Sequence, residues 1–161
     1  KPAPAQAPRG AIVLGRIDLK QAQRVPAAPP PGARRAVPGA SVVGLDISAY
    51  ALEHALVDVR PHVVRGTAAR LPFADRSFDL VVSINTLHNL RAAELESALR
   101  DIERVGRGAK YIVVDTFRSE REKVNLMYWQ LTCQCFYTPE DWQWWFDRTG
   151  YSGDHSFVHF E

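Results

Sequence analysis

The chain has 161 residues, 46% of them hydrophobic and 24% charged, with a formal charge of +2. That length suits one domain with a real core rather than two, and the composition is ordinary for a globular protein. The small net charge argues against a nucleic-acid or acidic-membrane partner, and no apolar run is long enough for a membrane helix.

The sequence opens at Lys1 rather than at methionine, so a natural start upstream is expected. No charged start followed by an apolar core marks a secretion signal. Cys133 and Cys135 are the only cysteines. Their Cys-x-Cys spacing is too tight for an easy disulfide, and two ligands do not make a zinc site. Reduced, half-buried thiols in a cytoplasmic protein are the simplest reading, with no metal centre.

Residues 1–40 read differently from the rest. Eight of the eleven prolines precede Ser41, Asp18 is the only acid before Asp46, and no aromatic residue appears before Tyr50. Lys1 to Pro8 and Ala27 to Arg35 cannot hold a helix or a central strand, because proline removes a backbone donor and clashes with the preceding turn. Ala11 to Gly15 reads as a short strand and Arg16 to Val25 as a marginal helix. The remainder of this Pro/Ala/Arg-rich segment reads as poorly ordered linker or tail. A separate α/β domain is expected over 41–161.

Ser41 to Asp46 (SVVGLD) predicts a strand ending in a carboxylate. Ser48 caps a helix on which Leu52, Ala55, Leu56 and Val59 follow helical spacing until Pro61 closes it. His62 to Arg65 predicts a short strand. The unbroken apolar run Phe78 to Ile84, bounded by turn residues, predicts a strand buried on both faces. Asn85, Thr86, His88 and Asn89 follow at its carboxyl end, where parallel sheets bind ligands. Leu95, Ala98, Leu99 and Ile102 mark an amphipathic helix stopped by Gly106 and Gly108. Tyr111 to Val114 is a further strand, ending at Asp115. Two more helices are expected: one with Val124, Met127, Tyr128 and Leu131 on a single face, and one starting at Thr138-Pro139 that stacks Trp142, Trp145 and Phe146 before Gly150. His155 to Phe160 reads as a last strand. This alternation predicts a doubly wound, Rossmann-like α/β fold, with a mostly parallel sheet and helices on both faces.

GLDIS at Gly44 to Ser48, followed by GTAARLPFADRSFDLVVSINTLHNL at Gly66 to Leu90, resembles the class I S-adenosylmethionine-dependent methyltransferase family. The resemblance covers roughly Val42 to Glu161. It implies S-adenosyl-L-methionine as cofactor, Asp46 on the ribose hydroxyls, Ile47 against the adenine face, and Asn85 near the methionine portion and the transferred methyl. Thr67, with Ala68 beside it, stands where the family usually has an acid for the adenine amino group. Methyl transfer from a sulfonium is an in-line displacement, so the protein's main task is to hold donor and acceptor in near-attack geometry.

Each residue has a plainer role beside this one. Asp46 can cap the following helix, and Asp79 can hold the turn into its strand. His88 can be a general base for a hydroxyl or amine acceptor, or a surface or helix-start histidine. His155 and His159 alternate along a strand, where metal binding is the minor reading. Trp142, Trp144 and Trp145 read as core and lid packing, and Glu120 to Lys123 as a solvated helix start.

The family's glycine-rich loop after the first strand, where backbone amides approach the cofactor, has no counterpart here. Gly15 alone follows Ile12-Val13-Leu14, and a proline-rich run leads to Gly39. Losing that loop removes several hydrogen bonds to the methionine end, on the order of 1 kcal/mol each. Three explanations stand: residues before about Arg34 translate a different reading frame of GC-rich DNA; the domain is a catalytically inactive, methyltransferase-like binding module; or it is a Rossmann-type dehydrogenase. The favoured expectation is methyl transfer to an unidentified acceptor. An Asn-Pro-Pro-aromatic motif is absent, which favours a small-molecule or protein acceptor over nucleic acid. The acceptor pocket is expected to draw on the helix Glu120 to Leu131 and on Tyr128, Trp129 and Tyr137. The oligomeric state is left open.

Overall fold

The computed structural model describes residues 10–15, as backbone, and residues 41–160. Six strands among them form one sheet in the order β3-β2-β1-β4-β5-β6: β1 (Gly10–Gly15), β2 (Ser41–Asp46), β3 (Val63–Arg65), β4 (Phe78–Ile84), β5 (Gly106–Asp115) and β6 (Asp154–Val158). All five pairings are parallel. β1 therefore lies in the middle of the sheet, with β2 on one side and β4 on the other, and the chain order reverses there. Ligands bind beyond the strand ends at such a reversal.

The expected strand at Ala11 to Gly15 is β1. The readings for residues 1–9 and 16–40, including the marginal helix and the stretch in which a glycine loop was sought, lie outside the described residues.

Four α-helices complete the described part: α1 (Ala49–Glu53), α2 (Ala92–Val105), α3 (Glu120–Trp129) and α4 (Pro139–Thr149). On α2, Leu95, Ala98, Leu99, Ile102 and Val105 form one buried stripe. They pack in a single core with Val81, Ile112 and Val114 of the sheet and with Leu87, Trp142 and Phe146. Each large apolar side chain withdrawn from water in this way stabilises the fold by roughly 1.5–3 kcal/mol. α4 begins as its sequence predicts. Thr138 accepts from the Asp141 amide at 3.2 Å, Asp141 accepts from the Thr138 amide at 2.9 Å, and Pro139 occupies the first turn. It ends at Gly150 with φ +71, the left-handed conformation glycine favours.

The LPF segment is pinned beneath α2. The Leu71 amide donates to Asp101 at 2.6 Å. Arg104 donates to Asp101, to Asp75 and to the carbonyls of Phe73 and Leu71 at 2.7, 2.8, 2.8 and 3.1 Å. Asp79 forms a two-pronged pair with Arg107 at 2.8 and 3.0 Å. Opposite it, a Cβ on Gly108 would lie 2.3 Å from the Asp79 carbonyl oxygen, so this close approach of β5 to the irregular start of β4 requires glycine.

Two helices differ from expectation. α1 stops at Glu53, and Leu56 and Val59, expected on its apolar face, are 74% and 46% exposed. Only Ala51 and Ala55 of this stretch are buried hydrophobics, too little packing to sustain a long helix. On α3, Val124, Met127 and Tyr128 are exposed, as is Leu131 beyond its end, while Leu126 and Glu122 are buried. The buried stripe is thus a narrow i, i+4 pair, supported by Trp129 stacking on Phe160 at 6.2 Å. Glu122 is not solvated as expected: Arg118 clamps it at 2.6 Å and holds its carboxyl below the usual range.

Candidate functional site

A cavity of about 460 Å³ opens beyond the carboxyl ends of β2, β3 and β4, within the size range of small-molecule sites. Three segments wall it: Leu45 to Ser48 with Tyr50 and Ala51 at the end of β2 and the start of α1, Gly66 to Ala68 after β3, and Thr86, Asn89 and Leu90 after β4, with Thr132 closing one side.

Asp46 ends β2 and is 9% exposed. Its Oδ1 accepts from the Ser48 amide at 2.8 Å, and its carbonyl accepts from the Gly66 amide at 3.0 Å. The capping role expected of it is thus seen directly, and its side chain also reaches the cavity wall. One oxygen organises the entry to α1, where Ser48 accepts from Ala51 at 3.2 Å, while the carboxylate lines the cavity. It is the only charged side chain among the described lining residues.

Ile47 stands at the rim, 70% exposed, and Ala68 is buried in the wall. Thr67 accepts from the Ala69 amide at 3.2 Å in a local turn, which leaves its hydroxyl hydrogen free to donate. Four of the five expected cofactor residues, Asp46, Ile47, Thr67 and Ala68, are thus brought together.

Asn85 does not line the cavity. Its backbone is left-handed, with φ +50, a conformation asparagine tolerates better than most residues. Its amide donates to the Val113 carbonyl at 3.0 Å, and its Oδ1 is buried without a hydrogen-bond partner among the described residues. The turn it makes presents Thr86, Asn89 and Leu90 instead. Asn89 holds this wall together by donating to the carbonyls of Asn85 and Thr86 and accepting from the Thr132 hydroxyl at 2.7 Å.

His88 is also absent from the lining. It is fully buried, which corrects the expectation of a surface histidine, while the alternative of a helix-start position holds, since it lies in a short 3-10 turn at Leu87–Asn89. Its Nε2 lies 3.5 Å from Oδ2 of Asp115, a residue with no exposed side-chain surface. Burial pushes the Asp115 carboxyl up to about 6, against a lowering contact from Gln130. Burial likewise pushes the Cys133 thiol up to about 12 and raises Cys135. Among the described residues, no group of three His, Cys, Asp or Glu side chains is placed to hold a metal, and no helix is long and apolar enough to cross a membrane.

Thr86 and Asn89 carry a sequence signal, because polar residues just past a buried strand mark its ligand-facing end. Tyr50 and Thr132 carry none.

A family model described as a methyltransferase domain matches residues 30–114, more than half of the chain. The chain belongs to the class I methyltransferase family. An uncharacterised methyltransferase of Synechocystis sp. is 36% identical over 110 residues, which is 65% of this chain and 50% of the relative. The chain thus spans half the length of the curated relative it matches. Among solved structures, a chain from the Haloferax volcanii complex of the Trm112 methyltransferase activator with a methyltransferase candidate superposes with a TM-score of 0.62 at 22% identity, over 91% of this chain and 63% of that one. Geranyl diphosphate methyltransferase in complex with S-adenosylmethionine gives 0.56 at 13% identity, over 89% of this chain and 58% of its own. At these identities the likeness establishes the Rossmann-like fold, as the parallel sheet already indicates.

Proposed function

We propose that the cavity binds the adenosyl part of S-adenosyl-L-methionine and that the chain serves methyl transfer from it to an acceptor. The observation that carries this reading is the lining itself: one buried carboxylate at the end of β2, hydroxyl groups, and small apolar surfaces, with no cationic side chain among the described lining residues. A carboxylate beside an uncharged wall suits a ribose diol next to an aromatic base, since it accepts two charge-assisted hydrogen bonds. In this reading Asp46 holds the ribose hydroxyls, Ile47 and Ala68 lie against the adenine faces, and the Thr67 hydroxyl donates to a ring nitrogen. Asn85 sets the turn behind the methionine end and leaves its Oδ1 for a donor there.

The bound cofactor supplies a methyl group on a sulfonium, an electrophile that needs no activation by the protein. The chain's own residues bind, orient and exclude water. The acceptor is a small molecule or a protein rather than nucleic acid, in keeping with the net charge of +2. It approaches past Tyr128 and Trp129, which are exposed close in sequence to Thr132 of the cavity wall, and past Tyr137, which packs on Trp142 and Trp145. A cytoplasmic setting accords with two buried, reduced cysteines.

Calorimetric titration with S-adenosylhomocysteine tests the reading. Micromolar binding, abolished in Asp46→Ala, is the expected result. A folded chain that binds none of it is a catalytically inactive module, and the proposal fails.

A further inference from the structure

Both nitrogens of the buried His88 ring face Asp115. The Asp115 backbone amide donates to Nδ1 at 3.4 Å, and Nε2 lies 3.5 Å from Oδ2. An accepting Nδ1 places the single proton of a neutral ring on Nε2, the nitrogen turned towards the carboxylate. The surroundings extend this pairing to the cavity. The His88 carbonyl accepts from the amides of Gln134 and Cys135 at 2.8 and 3.0 Å. Its neighbour Asn89 takes the Thr132 hydroxyl, and Asn89, Leu90 and Thr132 are cavity wall. On the other side, Trp142 Nε1 donates to the Asp115 carbonyl at 3.3 Å.

We propose that His88 is a positioning residue and not a proton acceptor: as a neutral, Nε2-protonated imidazole it locks the end of β5 to the turn after β4 and so sets the Asn89–Thr132 wall of the cavity. A proton taken up at Nδ1 would point at the Asp115 N–H and break that bond, and the ring lies outside the cavity lining. The other titratable groups recorded about the couple among the described residues are Cys133, which senses the Asp115 charge, and Cys135. Both thiols are raised by burial and stay neutral near pH 7, which leaves Asp115 as the charged partner.

The consequence for ligand affinity rests on the cofactor reading above; the ring's protonation state does not. Long-range proton–nitrogen NMR of the full chain at neutral pH should show an unprotonated Nδ1 and a protonated Nε2. H88Q keeps one acceptor and one donor without a titratable group, so the Asn89 and Thr132 amide resonances should stay near their parent positions. S-adenosylhomocysteine affinity should then fall by no more than about threefold, whereas H88L displaces both resonances and weakens binding on the order of tenfold. An Nδ1-protonated or doubly protonated ring overturns the proposal, as does H88Q displacing the two amides as far as H88L. If H88L does not fold, the parent ring and H88Q still decide. A parent chain with no affinity for S-adenosylhomocysteine refutes the cofactor reading, and the ring and amide readouts then decide this one without it.

Discussion

The two roles of Asp46 can be separated by a single atom change. Asp46→Asn keeps an oxygen that accepts the Ser48 amide, the contact seen at 2.8 Å, so the entry to α1 survives. What it loses is the negative charge facing the cavity. Hydrogen bonds to a carboxylate are roughly twice as strong as neutral ones, so two ribose hydroxyls should each lose about 1 kcal/mol. The sum, about 2 kcal/mol, weakens S-adenosylhomocysteine binding by ~30-fold. Thermal unfolding should move little, because loss of a cap contact, worth about 1 kcal/mol, is avoided. Asp46→Ala removes both functions, so it should lose at least as much affinity and show the drop in unfolding temperature that Asp46→Asn lacks. Calorimetric titration and a thermal melt on the same samples read the two effects independently. Asp46→Asn binding as tightly as the parent, with Asp46→Ala merely less stable, would show that the carboxylate is a cap and nothing more.

Three further outcomes follow from the structure. Arg104→Met leaves the carbonyls of Leu71 and Phe73 and the carboxylates of Asp101 and Asp75 without their shared donor; a loss of roughly 2 kcal/mol in urea unfolding is expected, and an unchanged midpoint would refute the pinning of the LPF segment. The Asp115 carboxyl is raised to about 6, so below that value the folded state holds a proton that the unfolded state, near 4, has already released. Its contribution to stability is therefore full at low pH and fades as pH rises from about 4 to 6, by on the order of 3 kcal/mol; the difference in unfolding free energy between the parent and Asp115→Asn should change across that window and be flat above it. Finally, the raised, buried thiols of Cys133 and Cys135 should resist alkylation in the folded chain and react only on unfolding, and labelling at the rate of a free exposed thiol would contradict their burial.

Where a local pattern coincides with a strong physical constraint, the sequence was legible. β2 and β4 occupy the residues their apolar runs and flanking turns indicate, and the stripe of α2 and the caps of α4 follow their spacing and end signals. The failures are all tertiary. Helical spacing at Leu52 to Val59 is real, yet no layer covers Leu56 or Val59, and α1 stops. On α3 the broadest apolar face is not the one the fold buries. Periodicity reports that a face exists but not which neighbour meets it. The site divides in the same way. Asp46 ends β2, and Ile47, Thr67 and Ala68 follow closely after strands, so their place on the cavity wall was legible. Thr132 reaches the wall from a distant loop, Asn85 stands off the wall with a left-handed backbone, and His88 packs in the core beside Asp115, a residue 27 positions away.

The choice between a nucleoside and a dinucleotide turns on more than charge. A dehydrogenase cofactor carries a pyrophosphate, which binding sites meet with backbone amides at a helix start or with cationic side chains. In that fold the pyrophosphate lies at the start of the helix after the first strand, and the residues that follow Gly15 of β1 lie outside the described ones. The group facing the ligand is a carboxylate, which repels phosphate and attracts hydroxyl and cationic groups. A carboxylate there suits the ribose diol of the proposed cofactor. Membership of the methyltransferase family favours methyl transfer, and the carboxylate on the cavity wall is compatible with it. An acid at the end of the second strand also serves dinucleotide sites, so it is the family match, rather than this carboxylate, that separates methyl transfer from hydride transfer.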